Sequence, residues 1–234
     1  MIVSVIKIQK WYRGNVYRLK RLPQILYYIQ RYLQLCLYNC SSQTNDGRIN
    51  SCIDEEKIIE LLIEKFSIKI KTTKIRMWYD ILVLDAYYGW LPVNIKTTTT
   101  ITSDNTGNLA MCVYAYTNEL LHLNTEKSYE NGKMSVILTN KIKEKKYNNI
   151  NKKDYYFIII NKNDKQNVII NSVKGLSCLT SNINNIPYQV CWKKNNNFNY
   201  DKIQNKIKMF IECLQRPKPS WKELFMTDIR LIQL

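Results

Sequence analysis

Three side chains in one stretch of this chain are of the types that hydrolyse phosphodiesters. They are Asp80, Asn94 and Lys96, spaced as Asp-x13-Asn-x-Lys. MWYDILVLDA and LPVNIKTTTTI are β-branched and aromatic runs separated by Tyr-Gly, which predicts an antiparallel hairpin turning near Tyr88-Gly89. If residues 79–84 pair with 92–98, Asp80 falls opposite residues 94–96. Side chains alternate with period two, so Asn94 and Lys96 share a face. A carboxylate, a carboxamide and an ammonium then meet at one end of the hairpin. Asp80 would bind Mg2+ through oxygen, and the Asn94 side-chain oxygen and the Ile95 carbonyl could add ligands. The metal would polarise a phosphate. Lys96 would orient the attacking water and stabilise developing negative charge. Glu55 completes the shell or assists proton transfer, with Glu56 in reserve. Taken by spacing alone, the same residues also suit an edge hairpin with a solvated lysine. Asp85 is an alternative carboxylate, but five residues from Asp80 it faces the other side of a regular strand.

The elements that must position these groups can be read on either side. SCIDEEKIIELLIEKF carries Ile58, Ile59, Leu62, Ile63 and Phe66 as an apolar helical stripe, and Ser51 with Asp54 resembles a capping box. Residues 39–50 read as a polar linker. NTGNLAMCVYAYTNELL reads as a helix after a Gly-containing loop, and KMSVILTNKI, DYYFIIINK and NVIINSVK as further strands. KIQNKIKMFIECLQR is an amphipathic helix bounded by Pro217 and Pro219. The expected class is α/β, a mixed β-sheet core flanked by helices, over residues 41–234. Residues 1–40 read as a basic helical extension broken or restarted at Pro23.

The wording of these segments resembles the type II restriction endonucleases of the PD-(D/E)xK superfamily. YDILV with LPVNIKTT resembles their active-site hairpin. DGRINSCIDEE resembles the acidic helix that precedes it, and TSDNTGNLAMCVYAYTN the Asp-Asn turn and helix that follow. DYYFIIINKND with INSVKGL is similar to their later strands. NINNIPYQVCWKKN is similar to an Asn-x-x-Asn-x-Pro-x-Gln-x-x-Trp segment near their C-terminal part. The resemblance runs from about residue 46 to 200. It implies a restriction-endonuclease-like fold and Mg2+-dependent cleavage of double-stranded DNA leaving 5′-phosphate ends. It also implies a homodimer matched to palindromic sites. Asp80 matches the family's metal-binding Asp and Lys96 its Lys. Asn94 stands where Asp or Glu is usual, which removes one negative charge from the metal shell. Gln189 would pair with adenine, and Lys193 and Lys194 would meet phosphates. Trp192 reads as core.

The formal net charge is +16, from 35 Lys+Arg against 19 Asp+Glu, which favours polyanionic partners. The seven cysteines show no CxxC spacing and His122 is the only histidine, a composition that disfavours a zinc site. No signal peptide and no transmembrane segment is expected; the reading is a soluble, intracellular chain of cytoplasm or nucleus, without membrane contact. A second reading comes from residues 8–18. Ile8, Gln9, Arg13, Gly14 and Arg18 match the IQ pattern bound by calmodulin-like EF-hand proteins. On that reading the chain is a calmodulin-binding protein with an inactive nuclease-like body.

Overall fold

The computed structural model describes residues 22–36, 47–73, 77–123, 129–148, 153–182 and 187–214. The IQ-like motif, Pro217 and Pro219 lie outside them.

A five-stranded mixed sheet organises the chain. Its strands are β1 (Ile70–Thr72), β2 (Ile81–Asp85), β3 (Gly89–Thr98), β5 (Tyr156–Asn161) and β6 (Asp164–Ser172), in the spatial order β1-β2-β3-β5-β6. β1, β2 and β3 form an antiparallel meander, β5 lies parallel to β3, and β6 returns antiparallel. The expected hairpin is present with a shorter pairing than 79–84 against 92–98: residues 81–85 pair with 89–93, Ile81 with Val93 and Asp85 with Gly89, and residues 94–98 pair with β5 alone. The turn is the three residues Ala86–Tyr88, and Gly89 takes φ +73, the left-handed position that closes such loops. Asp85 fixes the turn by accepting from Tyr87 N (2.8 Å) and Tyr88 N (3.0 Å). It is therefore the carboxylate of the turn, at the opposite end of β2 from Asp80.

β5 is buried along its whole length, as a near-continuous apolar strand inside a two-faced sheet must be. Its alternation divides the core. Tyr156, Ile158 and Ile160 face one side with Ile81, Val83, Val93 and Ile95, against helices α1 (Gln24–Leu35) and α2 (Gly47–Phe66). Tyr155, Phe157 and Ile159 face the other, against α3 (Leu109–Tyr116), α4 (Asn131–Lys143) and α5 (Ile203–Leu214). Ile25, Leu26, Ile29 and Leu33 of α1 are buried in the first core. At about 1.5–3 kcal/mol for each such side chain, this helix is tied firmly to the sheet. A separate two-stranded ribbon, β4 (Ser103–Asn105) with β7 (Gln189–Cys191), follows the end of β3.

Three expectations differ from what is found. KMSVILTNKI lies in helix α4, not in a strand. Met134, Leu138 and Ile142 are buried four residues apart, and that helical period overrides the β-branched look of Val136-Ile137. Helix α2 begins at Gly47, inside the segment read as linker, so Ser51 and Asp54 are interior residues and not a cap. Ser51 Oγ instead donates to Gly47 O one turn back (2.8 Å). Helix α3 stops at Tyr116, before the Asn118–Leu121 stretch read as its continuation; its start is capped by Asn108, whose Oδ1 accepts from Ala110 N at 3.0 Å.

Candidate active site

The site follows from where β2 stops. The strand pairs with β3 only as far as Ile81–Val93, so beyond Val93 β3 is paired with β5 on one edge and has no strand on the β2 edge among the described residues. The backbone groups on that edge must find other partners. Asp80 N still donates to Val93 O (2.9 Å). Asp80 Oδ2 then accepts from Ile95 N (2.7 Å) and from Asn94 Nδ2 (2.7 Å). Two residues further on, Glu55 Oε1 accepts from Thr97 N (3.3 Å), and Ser51 Oγ donates to Thr97 O (3.3 Å). Two carboxylates thus cap consecutive outward N–H groups of one strand, about 7 Å apart. A strand residue directs its N–H and C=O to the same side, so the Ile95 carbonyl opens onto the same edge between them.

Lys96 faces the opposite side of β3 from Ile95 and feels both Asp80 and Glu55. It makes no ion pair within 4 Å among the described residues, which leaves its ammonium available to a ligand. Lys162, in the β5–β6 turn, reaches the same edge: its Nζ donates to Ser51 Oγ (2.8 Å). Asp104, on β4, feels both Lys96 and Lys162.

The electrostatics follow from limited solvent. Burial pushes the Asp80 carboxyl up from 3.8 to about 6, against the opposing Ile95 N–H and Lys96. Burial likewise pushes Glu55 up to about 7; the Asp80 charge adds to this, while Lys96, the Thr97 N–H and Lys162 oppose it. Burial also raises Asp104, opposed by the Thr98 hydroxyl and Lys96.

The residues expected from sequence are partly brought together. Asp80, Asn94, Ile95, Lys96 and Glu55 converge on the uncovered edge of β3. Glu56 is exposed, one position round the helix. Gln189 is half-buried on β7, Lys193 and Lys194 are exposed just beyond it, and Trp192 is fully buried. Lys162 and Asp104 were not anticipated. They arrive through the parallel β3–β5 pairing and through the ribbon, contacts that leave no mark in local spacing.

No group of three or more His, Cys, Asp or Glu side chains among the described residues is placed to hold a metal ion. The donor set that exists is two carboxylates, a backbone carbonyl and a carboxamide. Asn94 Oδ1 is buried and has no hydrogen-bond partner, an oxygen that a cation would satisfy. This suits Mg2+, which keeps several waters and takes only one or two carboxylates alongside substrate phosphate.

No protein-family model matches this chain, and neither does any curated protein or solved structure.

Proposed function

We propose that this chain is a Mg2+-dependent, sequence-specific endonuclease that hydrolyses phosphodiester bonds of double-stranded DNA, of the restriction-endonuclease-like type. One observation carries the reading. The carboxylates of Asp80 and Glu55 cap the Ile95 and Thr97 N–H groups on the uncovered edge of β3, on either side of the Ile95 carbonyl, and Lys96, which makes no ion pair among the described residues, lies beside them. A plain sheet edge has no need of two desolvated carboxylates and a cation at one end. An anionic substrate reacting with water does.

In this reading Asp80 and Asn94 would hold Mg2+, with the Ile95 carbonyl and Glu55 completing the set, and the ion would supply Lewis-acid polarisation of the phosphate. Lys96 orients the attacking water by hydrogen bonding and stabilises negative charge as it grows on the phosphate oxygens. The Asn94 Nδ2–Asp80 Oδ2 bond keeps the two side chains in register, so that Asn94 presents its oxygen and not its NH2. Lys162, Lys193 and Lys194 supply positive charge for the flanking backbone, within a chain of net charge +16. Cleavage leaves a 5′-phosphate, and two copies of the chain act on a palindromic site. The IQ-like residues Ile8 to Arg18 add a proposal from sequence alone, that a calmodulin-like EF-hand protein binds the N-terminal segment.

The test is Lys96→Ala, assayed separately for duplex binding and for cutting. Binding is expected to persist, with cleavage reduced by about 100-fold or more. Cleavage at the wild-type rate by this variant removes Lys96 from the chemistry and sinks the assignment.

A further inference from the structure

The ribbon β4–β7 begins where β3 ends, and the connection is strained. Thr100 takes φ 65, a rare conformation for a β-branched residue. It is held there by Thr98 Oγ1, which accepts from Thr100 N (3.4 Å), and by Lys193 N, which donates to Thr100 O (3.0 Å). Strain of this kind marks a position where the direction of the chain matters. Here it sets the ribbon against the reacting end of β3.

The two faces of the ribbon differ. Asp104 pairs with Val190, and both turn inward, Val190 into the core and Asp104 toward the Lys96 side. Asn105 pairs with Gln189 across the ribbon, and both turn outward. Asn105 Oδ1 accepts from Asn182 Nδ2 (2.6 Å) and from Gln189 Nε2 (3.3 Å). Its oxygen is thereby occupied, which leaves the Asn105 NH2 as its group for a ligand, a donor. Gln189 commits an N–H to Asn105, which leaves its Oε1 as an acceptor alongside. A donor and an acceptor therefore stand together, fixed by bonds within the protein before any ligand arrives.

We propose that the outward face of this ribbon reads the major-groove edge of an adenine in duplex DNA, with Asn105 and Gln189 as the specificity-determining pair. The inference rests on the reading of the chain as a DNA endonuclease and deepens it. Adenine shows an acceptor at N7 and a donor at N6, the complement of this pair, and side-chain carboxamides make that match in two points. A two-stranded ribbon fits the major groove, which is about 12 Å wide. Lys193 and Lys194 emerge, exposed, at the end of β7, where the groove's phosphates would pass. Ile101, 65% exposed at that same end, offers an apolar contact to a thymine methyl. Because the carboxamides are already ordered, little side-chain entropy is lost on docking.

The test selects bound duplexes from a randomised pool with full-length protein, Ca2+ replacing Mg2+ so that DNA is held and not cut. Wild type is expected to enrich a site containing at least one required A·T pair. Asn105→Ala and Gln189→Ala should each lose about tenfold or more of the preference for that pair, with weak non-specific binding kept. Both positions accept substitution without loss of core packing, and circular dichroism checks this. A change on the DNA side runs beside it: 7-deazaadenine at the required position, which lacks the N7 acceptor that the Asn105 NH2 would meet, should weaken wild-type binding about tenfold and weaken Asn105→Ala no further. A consensus of G·C pairs alone overturns the inference, as does an A·T preference untouched by both variants. Either result leaves the endonuclease reading standing. Failure to retain any duplex at low salt overturns both.

Discussion

Asp80→Asn is expected to make the metal-free protein more stable and inactive at once, and the gain should depend on pH in a fixed direction. In the folded chain the Asp80 carboxyl is raised from 3.8 to about 6 by burial. A group whose folded pKa is raised as an acid costs stability when it ionises. Below about pH 4 it is protonated in both states and costs nothing. Between about 4 and 6 the unfolded chain has released the proton and the folded chain still holds it, so stability falls as pH rises. Above about 6 the loss is complete and constant. At about 1.4 kcal/mol for each tenfold change in the ionisation constant, the gap amounts to roughly 3 kcal/mol. Asn keeps an oxygen that can accept from both Ile95 N and Asn94 Nδ2, so the hydrogen bonds survive and only the charge is removed. Removing that charge also relieves Glu55, which adds in the same direction. Urea denaturation in EDTA, followed by tryptophan fluorescence at pH 3.5 and pH 8, measures the effect. The variant should match wild type at pH 3.5 and exceed it by up to about 3 kcal/mol at pH 8, with an unchanged m-value. A difference independent of pH, or a variant less stable at pH 8, would refute the reasoning.

Asn94→Asp exchanges the 2.7 Å bond to Asp80 for two facing carboxylates. In EDTA at pH 8 it should cost about 1–3 kcal/mol, while Mg2+ should raise the melting temperature of the variant more than that of wild type; equal Mg2+ responses would place the ion elsewhere. Gly175→Ala puts a Cβ against Asn171 Oδ1 and the Phe198 ring, and should cost about 1–3 kcal/mol in a denaturation curve. An unchanged midpoint would mean that those neighbours yield freely. Thr100→Asn keeps the buried turn while removing β-branching at φ 65, and should stabilise by about 1 kcal/mol; a clear loss would show that the threonine methyl is worth more than the strain.

The hairpin was legible because its signals are local: two β-branched and aromatic runs with a Tyr-Gly turn between them, although the pairing stops at Ile81–Val93. Asp80, Asn94 and Lys96 could be placed from that hairpin without knowing the rest of the fold. Glu55 and Glu56 were both named, and helix phase chooses between them. Ser51 and Glu55, four residues apart, share the face that reaches Thr97, while Glu56 is turned to solvent. Helix α4 reads as a strand because Val136-Ile137-Leu138 is an apolar, largely β-branched run, and only the spacing of Met134, Leu138 and Ile142 betrays its true period. The start of α2 was misplaced because Ser51 looks like a cap, whereas its hydroxyl is shared between Gly47 O one turn back and Thr97 O of β3. Lys162 left no readable signal, and Asp104 was visible only as part of an Asp-Asn turn, not as a group of the site. Each reaches the site by pairing between strands far apart in sequence, and nothing in their immediate neighbours records it.

Purified full-length protein incubated with supercoiled plasmid and Mg2+ tests the central claim most directly, with EDTA and Lys96→Ala set beside it. The account predicts discrete fragments with ligatable 5′-phosphate ends from wild type with Mg2+, and intact plasmid in both controls. A folded wild-type protein that leaves plasmids of varied sequence, free of base methylation, uncut with Mg2+ would contradict it, as would cutting that EDTA and Lys96→Ala leave unchanged.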